Sequence, residues 1–528
     1  MKPLNRPGGV IAAGHPQTAR AAAIVLEEGG NAFDAVLAAV YASCVVEPVL
    51  ASLGGGGFLL ARQANAGAGA GGSVLYDFFT QTPKNNKPAG DLDFHPIIAD
   101  FGPATQEFHI GLGSIATPGM VKGLFQVHRD LCTMPMARIV EPTVALARDG
   151  FSINRLQAYM FQVVGPIFMA TAPSREIFAS RQDPEDPKRE GETMSNPDFA
   201  AVLEALAREG EDLFYKGDIA DVISADCKAG GGQLTSQDFQ SYRVEKRKPL
   251  IVDYRGARLY TNPPPSSGGI LIAFALELLK ELDLKTLGFG SAASLRHLAD
   301  VMGQTNKARI EGGFFDGSNE KAALGLLEPK FLAAYKAEIL GRPEAHKGTT
   351  HISVIDSAGN AAALTVSNGE GAGYIAPGTG IMLNNMLGEE DINPKGFYQW
   401  PLNTRLCSMM APSVVIDGDG RMVALGSGGS NRLRTAILQV LVNLFDFSMT
   451  VEEAVAAPRV HFEGGLLNIE KGFEEDDVNG LLAAFPEVRQ WQEKNLFFGG
   501  VHAASFDPQN SEFTGAGDSR RGGAAVVV

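Results

Sequence analysis

The chain has 528 residues, of which 45% are hydrophobic and 20% charged, an ordinary globular range that allows a large core and excludes long disorder. Its formal net charge of -15 and pI near 5.2 oppose contact with phosphate backbones and anionic membranes, so neither nucleic acid nor a membrane is an expected partner. At this length two or three domains are possible, but so is one large layered unit.

The first residues carry no apolar segment ahead of a small-residue cleavage site, and apolar runs stop short of the roughly 18 residues a membrane span needs, which points to the cytoplasm. Cys44, Cys132, Cys227 and Cys407 lie far apart without a CxxC pairing, as expected of buried thiols in a reducing compartment. The nine histidines show no HxxxH spacing, so no metal and no organic cofactor is expected.

In chain order, residues 18–28 and 33–46 have the pattern of two helices separated by Gly29-Gly30-Asn31, with Asn31 as a cap. The second is apolar almost throughout and should be buried. Gly54-Gly55-Gly56-Gly57 leads into a strand at Phe58-Leu59-Leu60-Ala61. Glycines ahead of a strand offer no helix N–H groups to a phosphate, so close backbone packing is the expected reason for them. Gly67-x-Gly69-x-x-Gly72 has the letters of a dinucleotide fingerprint but joins that strand to another at Val74-Leu75-Tyr76, where the fingerprint needs a helix.

Residues 111–150 turn helical, starting after Pro118-Gly119 and stopping at Asp149-Gly150, and residues 196–245 alternate helix and turn with cap signals at Asn196 and Thr235. A strand ending near Tyr260 breaks at Pro263-Pro264-Pro265, read as a fixed turn, before a helix over about 270–282. Residues 317–348 are charged and alanine-rich, with the pattern of a helix and then a loop.

That loop ends at a hairpin. Apolar and polar residues alternate along residues 349–355 and 361–367, and Asp356-Ser357-Ala358-Gly359-Asn360 between them has turn chemistry. A turn centred on Ala358 puts Thr349 opposite Ser367. It also puts Thr350, Ile352, Val354, Ala362, Leu364 and Val366 on a core face, and Thr349, His351, Ser353, Thr365 and Ser367 on a hydroxyl-rich one. His351 reads as structural. Further strands are expected at Gly380–Asn385, 413–416 and 422–425, with a long loop over 387–403 of the kind that carries function. Gly426 to Asn431 then separates the last strand from a helix over about 433–447, so its N–H groups can face a phosphate or an oxyanion.

A threonine hydroxyl is a weak nucleophile without a neighbouring base, and a threonine with a free α-amine carries that base itself. Freeing Thr349 requires breaking the bond after Gly348, a small residue that permits attack by the Thr349 hydroxyl on the preceding carbonyl. On spacing alone, Gly348-Thr349 reads more readily as a plain loop-to-strand junction.

The ordered motifs Glu28-Gly29-Gly30-Asn31-Ala32, Leu53 to Phe58, Thr117-Pro118-Gly119, Leu146 to Phe151, Phe214-Tyr215-Lys216-Gly217, Pro263 to Gly269, Thr349-Thr350-His351, Gly380 to Asn385 and Gly428-Gly429-Ser430 resemble those of the γ-glutamyltransferases over nearly the whole chain. These are autoprocessed N-terminal-nucleophile hydrolases. The resemblance implies the α+β class and a four-layer αββα sandwich. A large fragment 1–348 and a small fragment 349–528 would build it jointly as one structural domain. It implies Thr349 as the nucleophile, Ser367 as its hydrogen-bonding partner, and Gly428 and Gly429 as oxyanion donors, each typically worth about 2.7–4 kcal/mol. For substrate binding it implies Asn368, Asn385 and the paired positions Cys407 and Ser408, with residues 387–403 as a lid.

Departures concentrate where substrate would be read. Phe79 stands in place of the arginine that clamps the substrate α-carboxylate, Met386 in place of a glutamine, Glu389 in place of an aspartate that binds the substrate amine, and Cys407 in place of the first serine. Arg405, Arg432 and Arg434 are the candidate replacement cations. The expected activity is cleavage of a side-chain amide, such as that of a γ-glutamyl compound like glutathione, through a threonine acyl-enzyme resolved by water or an amine. Such an enzyme would be made as a zymogen and serve glutathione metabolism. An acylase for a non-glutamyl group and an uncut binding protein are the alternatives.

Overall fold

Two antiparallel sheets face each other across the middle of the molecule, in a computed structural model that describes residues 8–64, 72–100, 105–312, 324–328, 348–393 and 396–528. Among these residues the first sheet has seven strands in the order Ala524–Val527, Gly9–Ala13, Thr350–Asp356, Ala361–Ser367, Gly56–Arg62, Ser73–Phe78, Glu245–Arg247. The second has six, in the order Glu512–Ala516, Gly500–Asp507, Met422–Gly428, Ser413–Ile416, Ala257–Thr261, Leu250–Tyr254. Helices Pro16–Glu27 and Ala32–Val46 cover the outer face of the first sheet, and Ser267–Leu279 and Arg432–Phe445 that of the second. The layers are therefore αββα, as expected. No helix of the described residues is long and apolar enough to cross a membrane.

Helix Ala32–Val46 is buried along its whole length, which is why its sequence is apolar all round rather than amphipathic. Asn31 caps it reciprocally with Asp34, and Asp356 from the hairpin turn accepts its first N–H at 2.9 Å, tying helix and hairpin together. Each fully buried leucine or valine of such a helix contributes roughly 1.5–3 kcal/mol.

The central hairpin pairs Thr350 with Val366 and His351 with Thr365, so Thr349 and Ser367 come next at its open end. Ile352, Val354, Ala362, Leu364 and Val366 pack toward the helices. The hydroxyl-rich face is buried as well, against the second sheet. His351 bridges Thr365 Oγ1 at 2.7 Å and Ser353 Oγ at 2.9 Å, and burial pushes the imidazole well below its ordinary pKa. This histidine is neutral and structural.

The glycine run packs backbone on backbone: a Cβ at Gly54, Gly55 or Gly57 would lie 2.4–2.5 Å from the carbonyl oxygens of Met382, Ser367 and Thr365. Beyond it, Arg62 pairs with Ser73, so the expected strand-to-strand connection is present, while Gly67 and Gly69 lie outside the described residues. Most of the stretch 317–348 also lies outside them.

Two boundaries differ from expectation for one physical reason. Strand Met422–Gly428 continues three residues past Leu425, and helix Ser267–Leu279 starts three residues before Ile270. Glycines suggested turns in both places, but they serve close approach within regular structure. A Cβ at Gly426 would lie 2.4 Å from the His351 ring, and one at Gly268 would lie 2.0 Å from the Met409 carbonyl oxygen.

Candidate active site

At the hairpin's open end, Thr349 Oγ1 and Ser367 Oγ each donate to the carbonyl oxygen of Gly348 at 2.8 Å. Both side chains are buried and line one cleft. The expected direct bond from Ser367 to the Thr349 hydroxyl takes a different form. The two hydroxyls converge on a shared carbonyl oxygen, one from each arm of the hairpin.

Gly348 is held on its other side too, its N–H donating to Glu370 Oε1 at 2.6 Å. Glu370 sits between Gly369 at φ +63° and Gly371 at φ +95°, a turn only glycine adopts easily. Asn385 Oδ1 accepts the N–H groups of both Glu370 and Gly371, at 2.9 and 3.2 Å, and its Nδ2 donates to His109 O at 3.2 Å. Asn385 thus braces the turn from behind and is fully buried, rather than bordering the cleft as expected.

The backbone of Thr349 runs against the end of strand Met422–Gly428. A Cβ at Gly428 would lie 2.1 Å from the Thr349 carbonyl oxygen, and Gly429, at φ +121°, packs against Gly499. Gly428 is therefore beside Thr349 and Gly429 beside Gly499, while Ser430 is the residue of this turn that lines the cleft.

Arg521 donates from Nη1 to that same Thr349 carbonyl at 3.3 Å. It belongs to the short helical turn Ser519–Arg521, anchored by a buried ion network in which Asp518 pairs with Arg459 at 2.7 Å and Arg520 at 3.1 Å, and Arg520 also pairs with Glu470. Burial opposes the charge on Asp518, but Arg459 and Arg520 hold its pKa down at about 2. Burial pushes Arg521 down to about 10, against the pull of Glu370, Asp518 and Glu47, so it remains a cation at neutral pH.

The cleft wall is largely apolar. Phe79, stacked on Phe58 with ring centres 5.5 Å apart, lines it with Met386, Met409, Met410 and Leu433. Glu389 and Ser408 supply polar groups. Cys407 turns away, its Sγ 2.9 Å from Pro265 O and 3.7 Å from Ser267 Oγ, and burial pushes the thiol pKa up. Asn368 is fully buried, does not line the cleft, and its amide has no hydrogen-bond partner among the described residues.

No arginine is among the described residues lining the cleft. Arg405 lies behind Phe79, donating to its carbonyl oxygen and to the Tyr242 hydroxyl and stacking 4.6 Å from the Tyr242 ring. Arg432 donates to Phe497 O at 3.2 Å, and Arg434 to Asn306 Oδ1 and Glu463 Oε1 at 3.2 and 3.3 Å. In the stretch expected as a lid, Glu389 and Ile392 line the cleft. Asn393 Nδ2 donates to the carbonyl oxygens of Met386 and Glu389 at 2.9 and 2.7 Å, and Phe397 packs on Phe94 and His109. Pro394 and Lys395 lie outside the described residues.

Glu370 and Arg521 are the residues sequence reasoning missed. A carboxylate between two glycines is a signal for the first, since it marks a forced turn presenting a charge. Nothing in the sequence distinguishes Arg521 from its neighbour Arg520.

A family model described as Gamma-glutamyltranspeptidase matches residues 18–528. The chain is 31% identical to a glutathione hydrolase proenzyme of Escherichia coli strain K12, over 92% of this chain and 87% of the relative. It is 30% identical to an acylase ACY 1 proenzyme of Pseudomonas sp. strain V22, over 100% and 95% of the two chains. The fold is similar to that of cephalosporin acylase from Bacillus halodurans, with a TM-score of 0.83, 22% identity, and coverage of 99% of this chain and 96% of that one.

Proposed function

The chain belongs to the gamma-glutamyltranspeptidase family and is an N-terminal-nucleophile hydrolase of that type; from this premise we propose that it cuts itself before Thr349 and then uses Thr349 to take the acyl group from an amide. The observation that carries this reading is the pair of hydroxyls 2.8 Å from the Gly348 carbonyl oxygen. In the first reaction Thr349 Oγ1 bonds to the Gly348 carbonyl carbon and the carbon–nitrogen bond breaks. The hydroxyl proton ends on the departing Thr349 nitrogen. Water then opens the resulting ester, leaving a Gly348 carboxylate and a threonine with a free amine and a free hydroxyl. Ser367 donates to the oxygen on which negative charge develops, where a fixed donor is worth most.

In the second reaction the free amine takes the Thr349 hydroxyl proton as the hydroxyl attacks a substrate amide, the amine leaving group takes it in turn, and water or another amine releases the acyl group. The family and the proenzyme names of the relatives support the self-cut. Its products would be fragments of 348 and 180 residues that together keep one fold.

The apolar wall at Phe79, Met386, Met409 and Leu433, with no arginine lining it among the described residues, supports a neutral, non-glutamyl acyl group as substrate. A charged clamp on a carboxylate is much stronger than a neutral contact, and no described residue lining the cleft replaces it with an arginine. A γ-glutamyl substrate is the second reading. It is favoured by Glu389 and Ser408 in the cleft, a carboxylate and a hydroxyl able to hold an ammonium and a carboxylate.

Two measurements test this. Wild type is expected to give two bands on a denaturing gel and Thr349→Ala a single one near 55.9 kDa; an alanine variant that still splits at the same bond removes Thr349 from the reaction. The cleaved enzyme is then given a γ-glutamyl anilide and a set of neutral acyl anilides. Faster turnover of a neutral acyl group is expected, and preference for the γ-glutamyl compound would establish the second reading.

A further inference from the structure

We propose that Glu370 is the residue that orients the bond to be cut, a positioning role for self-cleavage that rests on the self-cutting reading above. The need for it follows from Gly348. A Cβ at this position would lie 2.8 Å from Glu370 Oε2, 2.9 Å from Gly369 O and 3.0 Å from Val49 O, so only glycine fits. Glycine is also the residue with the most backbone freedom to lose, and a carbonyl carried on it has no orientation of its own. An attack by Oγ1 on the adjacent carbonyl carbon proceeds only when that carbonyl is held in one plane relative to the hydroxyl.

Two bonds supply that restraint, one on each side of the Gly348 Cα. The N–H side goes to Glu370 Oε1 at 2.6 Å, and the carbonyl side receives Ser367 Oγ at 2.8 Å. Ser367 and Glu370 are three residues apart in one tight segment, so the two restraints move as a unit. The segment is itself fixed from behind, because Asn385 Oδ1 holds the N–H groups of Glu370 and Gly371, and a Cβ at Gly369 would lie 2.1 Å from that same oxygen. Asn385 therefore acts on Glu370, and Glu370 on Gly348. Neither needs to touch the reacting hydroxyl.

The reach of the carboxylate and its charge can be separated. Glu370→Gln keeps an oxygen at the same distance and removes the charge. Glu370→Asp keeps the charge and withdraws the oxygen by one methylene. In full-length chains followed by denaturing gel and mass, Glu370→Ala and Glu370→Asp are expected to cut themselves at least tenfold more slowly than wild type, and Glu370→Gln within about threefold of it. Melting temperatures of the four proteins show whether a slow variant is folded; Asp and Gln variants that melt together yet cut at different rates place the effect in positioning rather than in stability. An alanine variant that cuts at the wild-type rate, or a glutamine variant as slow as the aspartate one, overturns the proposal. If wild type itself never splits, the self-cutting reading fails instead, and the role of Glu370 with it.

Discussion

Arg521 reaches Thr349 from the far end of the chain, its Nη1 donating to the carbonyl oxygen of Thr349 at 3.3 Å. If, as proposed, the α-amine of Thr349 serves as base, a fixed cation beside it favours the uncharged amine, because a nearby like charge opposes protonation. Replacing Arg521 with methionine should therefore raise the amine pKa. The acid limb of kcat/KM is expected to move to higher pH by on the order of one unit, whatever the loss in overall rate. A pH–rate profile of the cleaved enzyme checks this, and an unmoved limb would leave Arg521 a packing role only.

Ser367→Ala removes one of the two donors on the Gly348 carbonyl. Self-cleavage should slow by roughly 100- to 1000-fold, the usual effect of losing one donor to a developing oxyanion. Ser367→Thr keeps the hydroxyl and should cut at close to the wild-type rate. A time course of band conversion separates the two.

Phe79→Arg places a guanidinium in the cleft that holds Glu389 and Ser408. It should improve kcat/KM for a γ-glutamyl anilide relative to a neutral acyl anilide by about tenfold or more, since a bidentate carboxylate clamp is worth over 1.4 kcal/mol. The change also breaks the stack on Phe58, so a drop in melting temperature should accompany it. A ratio that does not move would mean that substrate carboxylates never approach this wall.

Glu47 sets a pH dependence of stability. It is buried, accepts hydroxyls from Thr18 and Thr350 at 3.1 Å each, and burial raises its pKa to about 7 despite those bonds. A carboxyl whose folded pKa lies above its unfolded value stabilises the fold below about pH 4.5, and that contribution disappears as pH rises through about 7. The loss is on the order of 3 kcal/mol. Glu47→Gln should flatten this slope, so that the variant melts at nearly the same temperature at pH 5 and pH 8 while wild type melts lower at pH 8. Parallel curves would show that Glu47 does not titrate in this range.

The hairpin was legible because local chemistry and tertiary structure agree there, whereas the layered fold followed from the family resemblance alone. Alternation over residues 350–356 and 361–367 matches a strand with two different faces, and the turn at Asp356–Asn360 fixes its register. The same register brings Thr349 and Ser367 together before any distance is known. Glycines were harder to read, because Gly426 and Gly268 lack a side chain for the sake of a distant neighbour, His351 or Met409, and a sequence does not show that neighbour. The cations failed for the same reason. Arg405, Arg432 and Arg434 lie near the candidate motifs in sequence, yet their side chains are spent on Tyr242, Phe497 and Glu463. Arg521 lies 172 positions from Thr349 and reaches it only through folding.

The strands that flank the central hairpin, Gly9–Ala13 and Gly56–Arg62, both precede Thr349 in the chain. In the folded chain these strands clamp the hairpin on both sides while Gly348 rests against Ser367 and Glu370, so the cut would act as a timestamp on folding if that clamp is what holds Gly348 in place. Afterwards the new terminus would sit like a drawer between two runners of backbone hydrogen bonds. Two polypeptides would then unfold in denaturant as one cooperative body, and pulling them apart without unfolding them would require breaking both ladders at once.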